Sequence, residues 1–475
     1  MSLKKKASVG AAWSLINALF LKGSVFFVSL YLASILGPND FGLIGMISVF
    51  FYLGNIILES GLSESLIRTQ KITEKDLSTI FYMNIAMALF IYFVFYTTAP
   101  FVSIFYDQEI LTDLIRVYCL SFIFNAFSAV QMAILNKEMK FKKITVMSIP
   151  AHLLGCILGV LMALNNYGVW SIVYMQLGIR VIQSISLWLF SKWKPSLIFS
   201  FTHLKIHLKF GYNLMLSGII DTIFNNIYNI IIGKYFTVIQ LGFYERANSM
   251  KTYPVITLSG IIHKVTYPLL SGIQDDKEKM AQVYRKMLRI SFFFIAPTML
   301  GMGALATPLF QLILGSEWMD AVPYFQILCL SAIFYPVHAF NVNILKVCGR
   351  SDLFLKSVII KKALILSIVL IAIGFSIEAL LWSTLVTSII GLFINTYFNK
   401  NLINYSIREQ LSDLIYTTII TVTMGAIVLT FINYNLPIGS LFNLLLGTLI
   451  GILSYGVLSF LFNKTIFTTV VKLIK

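Results

Sequence analysis

The chain has 475 residues, of which 58% are apolar and 12% charged, and its formal net charge is +16 at pH 7. This composition lies outside the range of soluble globular domains, so it excludes an ordinary soluble protein. The alternating polarity of an outer-membrane barrel is absent. We therefore predict an all-α integral membrane protein.

Apolar runs recur from one end of the chain to the other. Each has about 20 residues or more, the length that crosses about 30 Å of hydrocarbon. The first run is too long for a removable signal peptide and lacks a small-residue cleavage site, so we expect it to stay in the mature protein. About 14 transmembrane helices are predicted, at residues 9–36, 41–67, 78–105, 110–135, 144–165, 168–191, 210–234, 240–270, 287–314, 321–348, 355–374, 379–400, 413–433 and 439–463.

Lys and Arg are distributed unevenly between the loops of this arrangement. Twenty-nine of the 36 lie at the two termini and in every second loop, whereas alternate loops such as 37–40, 106–109 and 166–167 contain none. Because positive loops stay on the cytoplasmic side, we predict a multi-pass protein of the bacterial cytoplasmic (inner) membrane with both termini cytoplasmic. The basic loops favour contact with anionic membrane lipids, and we expect no binding of nucleic acid.

A longer basic segment divides the chain. Residues 192–209 mix Lys, Pro and aromatic residues, which is typical of an amphipathic linker on the inner membrane face. On this basis we predict an N-terminal six-helix lobe at 1–191 and a C-terminal six-helix lobe at 210–400. Residues 401–475 would form an appended helix pair and a cytoplasmic tail.

No cluster typical of catalysis or metal binding occurs in the sequence. The five histidines are scattered, and His203 and His207, one helical turn apart in the linker, lack a third ligand. The four cysteines lie in apolar runs without metal-ligand spacing. We therefore expect no metal, no catalytic residue and no cofactor.

The two predicted lobes repeat each other weakly. "LGPNDFGLIGMISVF" around Gly42 has a counterpart in "FTVIQLGFYERANSM" around Gly242, and "ILNKEMKFKKI" from Ile134 has one in "ILKVCGRSDLFLKS" from Ile344. Each half would begin on the cytoplasmic side, so the repeats would be parallel and related by an axis along the membrane normal. Two such pseudo-symmetric lobes would enclose a cavity.

Several stretches resemble a known family: the polysaccharide-transporter branch of the flippase superfamily that also contains multidrug and toxin extrusion proteins and lipid II flippases. They are "LGPNDFGLIGMI", "GLSESLIR", "YGVWSIVYMQL", "LGFYERANSMKTYPV", "YPLLSGIQDDKEKMAQVYRK", "ILGSEWMDAVPYFQIL" and "VCGRSDLFLK", in the family's order. The resemblance implies two six-helix bundles in a V, with a final helix pair appended. It also implies that helices one, two, seven and eight line the cleft between the lobes.

Some cations lie inside predicted spans rather than in loops. Lys22, Arg180 and Lys251 are roughly 11–13 residues into their spans, which at about 1.5 Å per residue places them near the membrane midplane. Arg116 and Arg246 lie in the outer half. A cation at such depth is costly unless it reaches water or a partner. These five are candidate substrate-binding residues of a cationic cavity suited to pyrophosphate oxygens.

A polar stripe is predicted on the seventh helix. Asp221, Asn225 and Asn229 are spaced i, i+4, i+8, so a continuous helix would place them on one face. Two interpretations stay open: the stripe lines the cavity, or the asparagines join neighbouring helices by hydrogen bonds. For Asp221 we favour the cavity, where it would pair with Lys22 or Lys251.

Two acidic residues are candidates for ion coupling. Glu59 in the second span and Asp221 could couple transport to H⁺ or Na⁺, because protonation of a buried carboxyl can bias a two-state transporter. The alternative for Glu59 is a plain interhelical ion pair with Lys22 or another cation.

The leading hypothesis is a flippase rather than an enzyme. It would move an undecaprenyl-pyrophosphate-linked oligosaccharide of an O-antigen, capsule or exopolysaccharide by alternating access, as a monomer that works beside a polysaccharide polymerase and glycosyltransferases. An ion-coupled multidrug exporter on the same fold is one alternative, although a cation-rich cavity would repel cationic drugs. An integral-membrane polysaccharide polymerase or glycosyltransferase is another, although the short outer loops leave no room for its active site.

Overall fold

The computed structural model describes residues 13, 20–21, 23–59, 62–70, 72–273, 276–434 and 439–474. Lys22 lies outside the described residues. Glu59 lies inside a helix, but its side chain is not among those described. Every regular element in the described part is helical, which confirms the predicted all-α class.

Contacts divide the chain into two compact units, residues 1–242 and 243–475. The first unit extends beyond the predicted linker because the two helices after the linker pack against the first helix. Its helices are α1 Gly23–Glu59, α2 Leu62–Arg68, α3 Glu74–Tyr106, α4 Leu111–Tyr118, α5 Leu120–Lys137, α6 Phe141–Leu164, α7 Trp170–Phe190, α8 Phe201–Asn225 and α9 Ile227–Tyr235.

The second unit begins within a long helix that starts just before the boundary. A buried cluster around Tyr284, Phe292 and Phe340 forms its main core. Its helices are α10 Val238–Ser271, α11 Lys277–Ala304, α12 Ala306–Ile313, α13 Ala321–Ala332, α14 Tyr335–Val347, α15 Ser351–Ile373, α16 Ile377–Ile403, α17 Ile407–Asn433, α18 Ser440–Phe462 and α19 Lys464–Ile474, with a 3₁₀ turn at Ser316–Trp318.

Many of these helices are suited to a bilayer. Within the described ranges, ten helical segments are long and apolar enough to cross a membrane, and eleven if the bent pair α8 and α9 forms one span. The protein is therefore a multi-pass membrane protein. The total of fourteen spans and the limits of the two lobes stay predictions.

Helix α1 runs from within the first predicted span, 9–36, into the second, 41–67, and is interrupted between them. Gly37 has φ 73° and ψ 174°, a backbone conformation that favours glycine, and Pro38 follows it. At about 1.5 Å per residue a straight helix of this length would greatly exceed the thickness of a bilayer. The break at Gly37 therefore separates two arms of α1.

The two copies of the repeat contact each other through glycines. A Cβ on Gly42 would lie 1.9 Å from the carbonyl oxygen of Val238, and a Cβ on Gly242 would lie 1.9 Å from the carbonyl oxygen of Pro38. Pro38 and Val238 correspond in the repeat, as do Gly42 and Gly242, so the contact is reciprocal. Small residues allow helix backbones to approach this closely in membrane proteins.

The predicted amphipathic linker is not one continuous element. Residues 191–200 are irregular, and α8 begins at Phe201. Pro195 lacks an N–H for a helical hydrogen bond, and Ser200 caps α8 by accepting a hydrogen bond from the backbone N–H of His203. The second half of the predicted linker is therefore the first part of α8.

Candidate functional site

A polar cavity lies inside the first unit, among α1, α2, α3, α5 and α7. Its volume is about 380 Å³. Apolar side chains such as Leu58 and Met132 form part of the wall. The polar lining consists of Ser63, Asn84, Asn125, Ser128, Asn136, Arg180 and Gln183.

Arg180 brings a charge to this cavity from the middle of α7. Gln183, three residues later, lies on the same side of the helix and also lines the cavity. The Gln183 Nε2 donates to Ser148 Oγ of α6 at 3.3 Å, and α7 packs closely along α6. Arg180 therefore stands on a rigid helix whose orientation is fixed by a neighbour.

Asn84 of α3 is one of the residues that line the cavity, and its carboxamide is unsatisfied within the described part of the chain. The residue is 2% exposed, and neither its Nδ2 nor its Oδ1 has a hydrogen-bond partner among the described residues. By contrast, Asn125 donates to Asn55 Oδ1 at 3.4 Å. Buried polar groups normally have a partner, so the free donor and acceptor of Asn84 point to a polar occupant.

Arg116, predicted to bind substrate, lies on α4, away from the lining of this cavity. Its guanidinium carbon is 4.3 Å from the centre of the Tyr96 ring of α3. This is a cation–π contact, which stabilises a partly buried guanidinium. The Arg116 Nε makes no hydrogen bond within the described part of the chain.

The remaining predicted cations belong to the second unit or lie outside the described residues. Arg246 is 3% exposed and Lys251 is half-buried, both on α10. Lys22, one of the two partners proposed for Asp221, lies outside the described residues, and the pairing of Asp221 with Lys22 or Lys251 stays a prediction. The role of these residues stays a prediction.

The predicted stripe on the seventh helix is interrupted. Helix α8 ends at Asn225, α9 begins at Ile227, and their axes differ by 45°. Asn226 lies at the break, where its side chain donates to the Thr222 carbonyl oxygen at 2.8 Å. Side-chain bonds to the backbone compete with regular helix formation. The expectation of one continuous face was therefore wrong.

The three residues of that stripe have different surroundings. Asp221 and Asn225 are exposed at the end of α8. Asn229 on α9 is 5% exposed and its amide donates to Ser48 Oγ of α1 at 3.5 Å. For Asn229 this contact matches the interpretation in which asparagine joins neighbouring helices.

A second polar cluster joins the start of α3 to α8. The buried Asp76 accepts hydrogen bonds from the Thr73 N–H at 2.8 Å and is hydrogen-bonded to His203 Nδ1. His207, 2% exposed, lies 3.4 Å from Asp76 and 2.6 Å from Ser65 Oγ through its other ring nitrogen. The two histidines therefore have a partner that their sequence spacing did not reveal.

This cluster is accompanied by contacts from the irregular segment. Trp193 Nε1 donates to Glu74 Oε1 at 3.0 Å, and the Ser200 N–H donates to Thr79 Oγ1 at 3.1 Å. Among the described residues, no group of three acidic, His or Cys side chains is arranged to hold a metal ion. The hydrogen bonds of Trp193 and Ser200 attach the irregular segment 191–200 to α3.

The family of the chain follows from a match that covers more than half of it. Residues 31–323 match the family model described as "Polysaccharide biosynthesis protein". The chain belongs to this family. The resemblance noted in the sequence is thereby confirmed.

Two proteins similar to this chain are named for the biosynthesis of polysaccharides, and one of them is named as a transport protein. The chain is 25% identical to the lipopolysaccharide biosynthesis protein WzxC of Escherichia coli (strain K12) over 406 residues, 83% of this chain and 82% of that protein. It is 24% identical to the succinoglycan biosynthesis transport protein ExoT of Rhizobium meliloti (strain 1021), over 81% of this chain and 78% of that protein.

This member of the polysaccharide biosynthesis protein family shares its fold with solved structures. The lipid II flippase MurJ in an inward-closed conformation has a TM-score of 0.75 at 16% identity and covers 94% of this chain and 99% of its own. An inward-facing multidrug resistance MATE family transporter has a TM-score of 0.65 at 16% identity, over 83% of this chain and 98% of its own. At this identity the likeness shows the fold alone.

Sequence reasoning found Arg180 but missed the amides that surround it in the cavity. Asn84, Asn125 and Gln183 each lie within a predicted apolar span. The sequence feature that could have identified these amides is the one noted for the asparagines on the seventh helix. It is a polar side chain inside an apolar span, where burial in hydrocarbon costs free energy. Depth could be compared between spans, but the sequence does not show which helices are neighbours.

Proposed function

We propose that the protein is a flippase that moves an undecaprenyl-pyrophosphate-linked oligosaccharide across the bacterial cytoplasmic membrane by alternating access. The observation that carries the proposal is membership of the polysaccharide biosynthesis protein family. The MurJ-like fold, which matches 94% of the chain, supports it. The glycan would be a repeat unit of an O-antigen, capsule or exopolysaccharide.

The physical problem of such transport is the polar head group. An acyl tail can stay in the lipid, but phosphate and sugar hydroxyls need polar partners throughout the crossing. Arg and Lys bind phosphate oxygens strongly, and Arg does so with two parallel hydrogen bonds. Arg180, held in a cavity with four side-chain amides, supplies a site for an anionic and hydroxyl-bearing part of the head group inside the first unit.

The remaining assignments belong to the same proposal. Substrate would contact the cations Lys22, Arg116, Arg180, Arg246 and Lys251, with Asp221, Asn225 and Asn229 along the path. Glu59 and Asp221 would couple transport to H⁺ or Na⁺. The protein would act as a monomer with both termini in the cytoplasm, beside the polymerase and glycosyltransferases of the same glycan.

Two other functions are compatible with a many-helix membrane protein. A multidrug exporter would share the fold, as the MATE transporter does. A polymerase or glycosyltransferase would need a reactive site. Relatives over about four fifths of the chain are named for polysaccharide biosynthesis, and one is named as a transport protein, which favours the flippase.

A deletion strain tests the function and separates the alternatives. We expect loss of surface polysaccharide and accumulation of the lipid-linked repeat unit on the inner leaflet, both restored by the wild-type gene. Leaflet position is measured by the accessibility of the glycan to an added glycosidase or lectin, in intact cells and in inverted vesicles.

Other results of the same experiment would contradict the proposal in distinct ways. Accumulation on the outer leaflet would indicate a polymerase, and absence of the lipid-linked unit would indicate a glycosyltransferase. Normal polysaccharide with increased sensitivity to cationic drugs would indicate an exporter.

A further inference from the structure

The cavity around Asn84 and Arg180 is too small for a whole lipid-linked oligosaccharide. Small-molecule sites in proteins span about 300–1,000 Å³, and this cavity, at about 380 Å³, lies near the lower limit. It therefore suits a single sugar residue. All of its described lining residues belong to helices of the first unit.

The charge of the cavity limits which sugar it suits. Arg180 is the one charged residue among the lining side chains that the structure describes. A single guanidinium pairs with one carboxylate through two parallel hydrogen bonds. A pyrophosphate diester carries two negative charges, so one of them would lack a cationic partner among the lining residues that are described.

The amides specify the rest of the occupant. Within the described ranges the Asn84 carboxamide has neither its acceptor nor its NH₂ donor paired, while Asn125, Asn136 and Gln183 add further amides to the wall. A sugar hydroxyl both donates and accepts, so vicinal hydroxyls can satisfy both ends of one carboxamide. Buried amides that gain such partners discriminate strongly against ligands that lack them.

We propose that this cavity is a subsite for one sugar residue that carries a single carboxylate, a hexuronic acid, with the carboxylate on Arg180 and ring hydroxyls on Asn84. The inference rests on the proposed flippase function and names part of its substrate. The pyrophosphate would then bind elsewhere along the transport path.

Binding to the purified full-length protein in lipid nanodiscs tests this subsite. The probes are methyl β-D-glucuronide, methyl β-D-glucoside and inorganic pyrophosphate, and the readout is the dissociation constant from ligand-observed NMR. We expect the glucuronide to bind roughly ten- to hundred-fold more tightly than the glucoside, the ratio that corresponds to one charge-assisted hydrogen-bond pair.

The chain offers a matched control for Asn84. Gln131 is 1% exposed and both ends of its amide also lack partners in the described part of the protein, but it does not line the cavity. Asn84→Leu should weaken glucuronide binding by about ten-fold, whereas Gln131→Leu should leave it unchanged. Both changes remove an unsatisfied buried amide, so neither should prevent folding.

Arg180 variants test the charge. Arg180→Gln should abolish the preference for glucuronide over glucoside. Arg180→Lys keeps the positive charge but loses the two parallel N–H donors of the guanidinium, so it should retain part of that preference. If the Arg180→Gln protein does not fold, the dissociation constants of Arg180→Lys and Asn84→Leu for the glucuronide still test the subsite.

Several results would overturn the subsite. These are equal binding of glucuronide and glucoside, binding of pyrophosphate alone, binding of no probe, or equal weakening by Asn84→Leu and Gln131→Leu. Each would leave the flippase proposal intact if the deletion strain accumulates its lipid-linked unit on the inner leaflet. Normal export in that strain would instead contradict the function itself.

Discussion

Asp413 is the most completely paired acid in the described part of the second unit. The residue is 8% exposed, and its carboxylate accepts hydrogen bonds from Arg285 Nε at 2.8 Å, from Tyr405 Oη at 2.6 Å and from Arg289. Arg285 also lies over the Tyr405 ring. The pairing joins α11 to α17 and gives these charges a structural role, distinct from the cavity of the first unit.

Asp413→Asn should destabilise the protein. The change removes the charge that two arginines share, and a lost hydrogen bond to a charged group costs about 1–3 kcal/mol of unfolding free energy. Thermal unfolding of the purified protein in detergent measures it. Asp352→Asn is the control, because Asp352 pairs with Arg350 at 2.7 Å in an exposed position, where such pairs contribute little. Equal decreases in the unfolding temperature of the two variants would contradict this role for Asp413.

Single residues show how far sequence reasoning reached at the candidate site. Arg180 was predictable, because a cation deep in an apolar run needs a polar surrounding. Asn84 was not singled out, since an isolated amide in a membrane helix usually bonds a neighbouring helix. Its unsatisfied donor and acceptor are a property of the packed structure, which no spacing in the sequence reveals.

At the scale of elements, helix existence followed from apolar run length, but helix continuity did not. Length indicates that a segment can cross the membrane, and α3, α6 and α7 lie where predicted. The break at Gly37 lies in the predicted loop at 37–40, whereas the interruption at Asn226 depends on local backbone geometry that run length does not show. The prediction that Asp221, Asn225 and Asn229 share one helix face required an unbroken helix, and the break at Asn226 contradicts it.

The reciprocal contact of Gly42 and Gly242 is an element-scale feature with a sharp consequence. An added methyl on either glycine would lie 1.9 Å from a backbone carbonyl oxygen, so the backbones must separate. Gly42→Ala and Gly242→Ala should each cost about 1–3 kcal/mol, the range for overpacking. Thermal unfolding of the purified variants measures this cost.

The symmetry of the contact predicts non-additivity. Once one methyl has separated the backbones, the second meets less resistance, so the double variant should lose less than the sum of the single losses. Gly260→Ala is the control on the same helix, since nothing lies within 4 Å of its added Cβ and alanine favours helix formation. Additive losses, or a loss at Gly260 equal to that at Gly242, would contradict the contact.

At the scale of the whole molecule, composition was enough to predict the all-α membrane class, and the order of the motifs was enough to predict the protein family. Both are collective properties of hundreds of residues, so local errors do not alter them. The limits of the compact units are different, because α8 and α9 pack on α1 across a linker whose composition suggested a boundary. Composition along the chain shows where it leaves the membrane, but not which helices pack together.

Membrane topology gives the last prediction. If basic loops stay in the cytoplasm, cysteines in the alternate loops should react with a membrane-impermeant maleimide in intact cells, and those in basic loops only after permeabilisation. The native cysteines Cys119, Cys156, Cys329 and Cys348 are first replaced by alanine.

Exposed positions for the single cysteines are Asp107, Asn166 and Tyr434 in the predicted outer loops, and Gln70, Lys194 and Asn404 in the predicted inner loops. Each predicted outer position is separated from its inner neighbours along the chain by an odd number of predicted spans. A single position with reversed labelling would therefore show that a span was miscounted between it and its neighbours, and the unsubstituted background controls for labelling elsewhere.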